Sequence, residues 1–191
     1  MNAPQHIDAA TPIRLTVENL EVLDRAGALA GYRRTELIDG VIVEMSPMGL
    51  RHARVNGDLY MRLRFALEDI ASPLTVLAGG PTVAIPPHDA PQPDIVLLGN
   101  AKAPGYAELD DVKLVMEVSD ATLRRDLTIK RKLYAEAGIS EYWVIDVEGV
   151  RVHQFWSPSN GAYRDTRVIT LNGELRSATI PDLAIDGSGI L

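Results

Sequence analysis

Two carboxylates stand out by their surroundings. Asp94 opens the apolar run of PQPDIVLLG, directly after Pro93, and Glu117 lies inside the apolar run of LVMEVSD. An unpaired carboxylate buried in a sheet costs several kcal/mol, so Glu117 requires a cation, a metal or a proton. Asp94 alone also fits a plainer reading, an aspartate that starts a strand after proline. Taken as a pair on neighbouring strands, the two could hold a hard divalent ion through oxygen. An ion so held activates water for hydrolysis. A positive side chain beside it would complete the site, yet two residues beyond Glu117 stands Ser119.

The elements that must position these groups follow from periodicity. TVENLEVLDRAGA spaces Val17, Leu20, Val22 and Leu23 as a short helix that stops near Gly27. In TELIDGVIVEM the Asp39-Gly40 pair sits between alternating apolar runs and predicts a two-residue hairpin turn. HARVNGDLYMRLRFALEDI predicts a long amphipathic helix, and TVLAGGPTVAI a strand broken by glycine. PDIVLL and VKLVMEV are continuous apolar runs, as for central strands covered on both faces. TLRRDLTIKRKLYAEAG predicts a second helix ending at Gly138. EYWVIDV, VRVHQFW and AYRDTRVI then read as strands, with a short strand and loops in the tail from Gly173. The order is that of an α/β fold: a mixed central sheet flanked by helices, preceded by an N-terminal hairpin.

Length and composition set further bounds. The 191 residues, 46% hydrophobic and 24% charged, suit one domain spanning 1–191, with 1–12 expected to be disordered and 150–191 to form C-terminal strands and a tail. There is no cysteine, which excludes a disulfide framework and thiolate zinc sites. The first fifteen residues lack the basic start and apolar core of a signal peptide, and no apolar run approaches the roughly 20 residues that span a bilayer. The expectation is a soluble cytoplasmic protein without a membrane partner. A formal net charge of −7 counts against a protein that coats nucleic acid. It counts less against an enzyme whose own carboxylates await a cation.

The missing positive charge is found on the second helix. At roughly 100° per residue, Leu123, Leu127, Leu133, Tyr134 and Ala137 share about one third of the circle. Lys130 falls near the middle of that stripe, while Arg124, Arg125, Arg131 and Lys132 fall outside it. An inward lysine needs an acidic partner. Asp126, one turn earlier on the same side, offers a purely structural i,i+4 pair. The alternative is that Lys130 reaches over the end of the preceding strand to Glu117.

Together these residues resemble the PD-(D/E)XK nuclease superfamily, and more narrowly its Uma-two family of restriction endonuclease-like proteins. The resemblance covers most of the chain. It runs from ELIDGVIVEMSPMGLRHARV, through PQPDIVLL, to LVMEVSDATLRRDLTIKRKLYAEAGISEYWVID. In the superfamily a lysine usually stands two residues after the second carboxylate; in this family it is thought to have moved to the next helix, where Lys130 lies. The resemblance implies a restriction endonuclease-like core with a cleft where two strands diverge. By motif match, Asp94 and Glu117 become carboxylate ligands of Mg²⁺ or Mn²⁺, the carbonyl of Val118 a further ligand, and Lys130 the residue that orients the attacking water. It also places a histidine, here His52, near the cleft.

Other candidates follow from type and place. Glu44, at the end of the hairpin, is a possible third acidic ligand or an edge-strand polar residue, and Glu36 is a weaker version of the same candidate. Ser119 could touch the metal shell or only end its strand. Tyr134, Tyr142 and Trp143 read as core. Arg51, Arg54, Arg62 and Arg64 on one helix, with Arg124, Arg125, Arg131 and Lys132 on the other, form either a phosphate-facing rim or two solvated faces. The function expected is metal-dependent cleavage of DNA phosphodiesters, by a homodimer if both strands are to be cut. The alternative is a catalytically silent member of the same fold that binds or assembles.

Overall fold

A computed structural model describes residues 11–32, 34–100 and 105–191. Of the stretch expected to be disordered, residues 1–10 lie outside the described residues. In chain order the elements are α1 (Val17–Arg25), β1 (Thr35–Ile38), β2 (Val41–Glu44), α2 (Leu50–Asp69), β3 (Thr75–Ala78), β4 (Val83–Ala84) and β5 (Ile95–Leu98). There follow β6 (Ala107–Glu108), β7 (Val112–Ser119), α3 (Leu123–Arg125), a π-helical segment (Asp126–Lys130) and α4 (Arg131–Glu136). The chain ends in β8 (Glu141–Asp146), β9 (Arg151–Ser159), β10 (Ala162–Thr170), β11 (Glu174–Arg176) and β12 (Ala184–Asp186).

Six strands form the central sheet in the order β10-β9-β8-β7-β5-β3. β7 and β8 run parallel, and the other neighbours are antiparallel, so the sheet is mixed as expected. The parallel pair requires a crossover, which the helix from Leu123 to Glu136 supplies. The two apolar runs chosen as central strands are buried along almost their whole length.

Alternation of side chains divides the core in two. On one face Ile95, Leu97, Leu114, Met116, Val118, Trp143 and Ile145 pack under α2 and the C-terminal hairpin β11–β12. On the other, Val96, Leu98, Val115, Tyr142 and Val144 pack under the crossover helix. The C-terminal segment is therefore core material: Leu171, Leu175, Leu183 and Ile190 are all buried.

The β1–β2 hairpin lies outside the central sheet. Asp39 and Gly40, with φ of 51° and 75°, make the expected tight turn, whose positive dihedrals suit these residue types. The hairpin is docked by a two-bond bridge in which Leu37 N–H donates to Ala90 O and Ala90 N–H to Leu37 O. The expected strand through the Gly79-Gly80 break divides there. β3 stays in the sheet, while β4 leaves it to pair with β6.

The crossover helix is less regular than a 100° wheel assumes. A π segment carries one extra residue per turn, which rotates α4 relative to α3. Ala135, which a regular wheel turns outward, is nonetheless buried, and α4 packs against β9 and β10 as well as the sheet face beneath it. Among the described residues, no helix is long and apolar enough to cross a membrane.

Candidate active site

β5 and β7 are antiparallel, with Ile95 opposite Met116, so the start of β5 meets the far end of β7. Asp94 shares the parity of Val96, and Glu117 that of Val115. Both carboxylates therefore leave the sheet on the face covered by the crossover helix. They open into a cavity of about 240 Å³, bordered also by Glu36 and Glu44 of the hairpin, His52 of α2, and Asp126 and Lys130 of the π segment.

Lys130 points inward. It is 2% exposed, and its Nζ donates to Glu117 Oε1 at 3.2 Å and to Glu36 Oε1 at 2.6 Å. The Tyr134 hydroxyl, one turn later, donates to the same Glu117 oxygen at 2.9 Å. Burial pushes the Glu117 carboxyl up to about 8; Lys130 opposes that rise, while Asp94, Asp126 and Glu36 add to it. Burial would also discharge Lys130, but Glu117 and Glu36 hold its ammonium above the usual lysine range. The i,i+4 partner suggested by the helix, Asp126, is engaged elsewhere. Its Oδ2 accepts from Ser119 Oγ at 2.7 Å and from Thr122 Oγ1 at 2.5 Å. Ser119 thus ties the strand end to the helix that carries the lysine.

Asp94 is held differently. Its Oδ2 accepts the Val118 N–H at 2.8 Å, across the strand pair. Its Oδ1 has His52 Nε2 at 3.1 Å and Arg34 Nη1 at 3.5 Å. The histidine nitrogen lies close to the carboxylate but makes no hydrogen bond that meets geometric criteria. Burial alone would raise the Asp94 carboxyl. His52, the Val118 amide and Arg34 together hold it below the ordinary aspartate value. The site therefore contains one carboxylate kept ionised and one pushed toward its acid form, a contrast that often accompanies divided chemical roles.

The hairpin contributes more than its sequence suggests. Glu36 pairs across the ribbon with Val43, and Glu44 with Thr35, so the two acids emerge from opposite faces. Glu36 is 1% exposed, whereas Glu44 is exposed at the cavity mouth. Glu36 also accepts from Arg125 Nη2 at 2.7 Å and from Gln92 N–H at 2.9 Å. Arg34 and Gln92, which sequence gives no reason to single out, brace this corner: Arg34 Nε donates to the Gln92 side chain, and Nη2 to its carbonyl. A Cβ at Gly80 would come within 2.8 Å of the Arg34 guanidinium, so the positive-φ glycine makes room for it. The hairpin's alternation places the two acids on opposite faces but, with apolar residues on both, does not say which face turns inward.

The donor set suits a hard cation. Carboxylate oxygens line the cavity, and three of them raise the Glu117 carboxyl by crowding negative charge around it, a crowding that a divalent ion relieves. Among the described residues, no three His, Cys, Asp or Glu side chains already converge as a metal cluster. Val118 lines the cavity, with its amide committed to Asp94.

Of the helix cations that could form either a rim or solvated faces, several are spent on the protein itself. Arg62 donates to the carbonyls of Asp186 and Ser188, Arg64 pairs with Glu68, Lys132 pairs with Glu136, and Arg131 lies over the Phe155 ring. Arg51 and Arg125 stay near the cavity, through Asp120 and Glu36 respectively.

The family model described as "Uma2: Putative restriction endonuclease" matches residues 23–187. The fold is similar to that of a crystal structure described as a putative nuclease belonging to DUF820 from Anabaena variabilis ATCC 29413. The TM-score is 0.67 at 13% identity, over 94% of this chain and 97% of that one. No curated protein matches the sequence.

Proposed function

The chain belongs to the Uma2 family, whose description is "Putative restriction endonuclease", and we propose that it is a metal-dependent endonuclease that hydrolyses DNA phosphodiesters. The observation that carries this reading is the Lys130 ammonium, 3.2 Å from Glu117 and in the cavity that Asp94 also lines. A helix thereby supplies the charge that Ser119 does not.

In this reading Asp94 and Glu117 hold Mg²⁺ or Mn²⁺, with the Val118 carbonyl and, at the mouth, Glu44 as further oxygen donors. Such an ion supplies a bound water of lowered pKa and positive charge for the phosphoryl oxygens. Lys130 donates hydrogen bonds to orient the attacking water and to offset charge developing on phosphate. His52 and Arg34 keep Asp94 ionised. Arg125, half-buried at the mouth, is placed to meet a backbone phosphate. Glu117 must lose its proton to act as a ligand, which favours activity toward pH 8 and above. A homodimer would present two such sites to the two strands.

The test is cleavage of supercoiled plasmid DNA. Nicking is expected with Mn²⁺ or Mg²⁺, lost in chelator and in E117Q and K130M, while both variants keep the wild-type circular dichroism. The silent-module alternative draws on the net charge of −7 and on the helix cations spent internally. Absence of nicking under every metal condition would favour it.

A further inference from the structure

We infer that Glu36 is a positioning residue: it clamps Lys130 and Arg125 in place at the cavity rather than serving as an acidic ligand there. The inference rests on the nuclease reading for its catalytic meaning, but its geometry stands apart from that reading.

The tightest contact of Lys130 is with Glu36, at 2.6 Å, and not with Glu117, at 3.2 Å. An ammonium on a four-carbon stem is a mobile charge with three rotatable donors. Two fixed acceptors from different elements convert it into a located one. Glu36 is suited to this task because it is itself fixed. Its Oε1 also accepts the Gln92 amide at 2.9 Å, and its Oε2 accepts Arg125 Nη2 at 2.7 Å. Three donors thus share the two oxygens of a side chain that is 1% exposed. Gln92 in turn takes the Arg34 guanidinium, which leans toward Asp94. One carboxylate from the hairpin thereby connects the lysine, the arginine at the mouth and the approach to Asp94.

The connection is built from separate pieces of chain. Glu36 lies on a ribbon outside the central sheet, 94 residues from Lys130 and 89 from Arg125. The Leu37–Ala90 bridge, directly next to Glu36, fixes the ribbon against the segment that leads into Asp94. A hairpin docked there has a mechanical role, because it brings a second acceptor to a lysine that β7 holds from the other side through Glu117. A ligand role would compete with three nitrogen donors, which take three of the carboxylate's roughly four lone-pair sites and leave at most one, on Oε2.

The test combines a readout of lysine mobility with kinetics and metal binding, on the full chain. In protein labelled with ¹³C at lysine, a clamped Lys130 should give two distinct ε-methylene proton signals. In E36Q these should collapse toward one averaged signal. In E36D, where charge is kept but the carboxylate is withdrawn by one carbon, the splitting should be reduced but present. E36Q should lower kcat for plasmid nicking by about 10–100-fold, with KM within about threefold and Mn²⁺ affinity by calorimetry likewise within about threefold. E36D should recover part of kcat. If the Lys130 splitting survives in E36Q, the clamp is refuted. A large loss of Mn²⁺ affinity in E36Q would show Glu36 to be a ligand and overturn the inference equally. If E36Q fails to fold, E36D decides by the same signals. A wild type that shows the split lysine signals but cuts nothing would sink the nuclease reading and leave the clamp standing.

Discussion

Glu117 is the residue whose state sets the chemistry of the cavity. Its folded carboxyl keeps a proton up to about pH 8, while the same group in an unfolded chain releases it near 4.5. Folding therefore takes up a proton between those values. The associated stabilisation is complete below pH 4.5 and lost as pH rises through about 8. Asp126 is also raised and acts with the same sign, whereas Asp94 and Glu36 are lowered and titrate beneath this window. In chelator, thermal melts should show Tm falling from pH 5 to pH 8.5. In E117Q that slope should flatten, with Tm at pH 8.5 at or above wild type by ~2–4 °C, the shift that about 1 kcal/mol produces in a chain of this size. An unchanged slope in E117Q would mean that Glu117 is ionised throughout. On the proposed reading the substitution would relieve a strain that serves function, since a neutral amide would not replace the carboxylate toward a metal.

At the level of elements, the two faces of the sheet carry separate tasks. The crossover helix and hairpin build the cavity on one face. On the other, Glu141 of β8 fastens the C-terminal segment. Its carboxylate accepts from Trp143 Nε1 at 2.6 Å, Ser177 Oγ at 2.6 Å, Thr179 Oγ1 at 2.7 Å and the amides of Ala178 and Thr179. E141Q turns an acceptor oxygen into a donor among these donors, at a cost of about 2–3 kcal/mol. Hydrogen exchange should quicken across residues 175–190, beneath which α2 packs, while amides of the crossover helix keep their protection. Equal loosening of both regions would contradict this division. The division also explains what could be read from sequence. Lys130 was legible because a helix repeats its stripe locally, and even a π segment left that residue facing inward. Asp94 and Glu117 were legible because a charged residue in an apolar run has few explanations. Arg34 and Gln92 were not, and Glu36 and Arg125 were visible only as a weak ligand candidate and a cation of rim or solvated face, since each finds its role in a partner far along the chain. The four-residue β1 gave too short an alternation to reveal which hairpin acid turns inward.

Across the whole molecule, the family match spans residues 23–187 and the fold is shared along most of the chain, and the proposed site is the cavity where the hairpin, two strand ends and the crossover helix meet. A net charge of −7 makes long-range attraction to nucleic acid weak, so the proposed function would leave binding to the local cations and to a bridging metal. On the proposed reading the cavity would gather cation and phosphate together, which would tie substrate affinity to metal occupancy. The most direct measurement is the anomalous scattering of a crystal soaked in Mn²⁺ at pH 8.5. One ion is expected in the cavity, about 2–2.3 Å from carboxylate oxygens of both Asp94 and Glu117, its remaining positions filled largely by water. Lys130 Nζ should remain beside it, still hydrogen-bonded to Glu36. A cavity without an anomalous peak, or an ion bound elsewhere while Lys130 stays locked on Glu117, would contradict the assignment of this site.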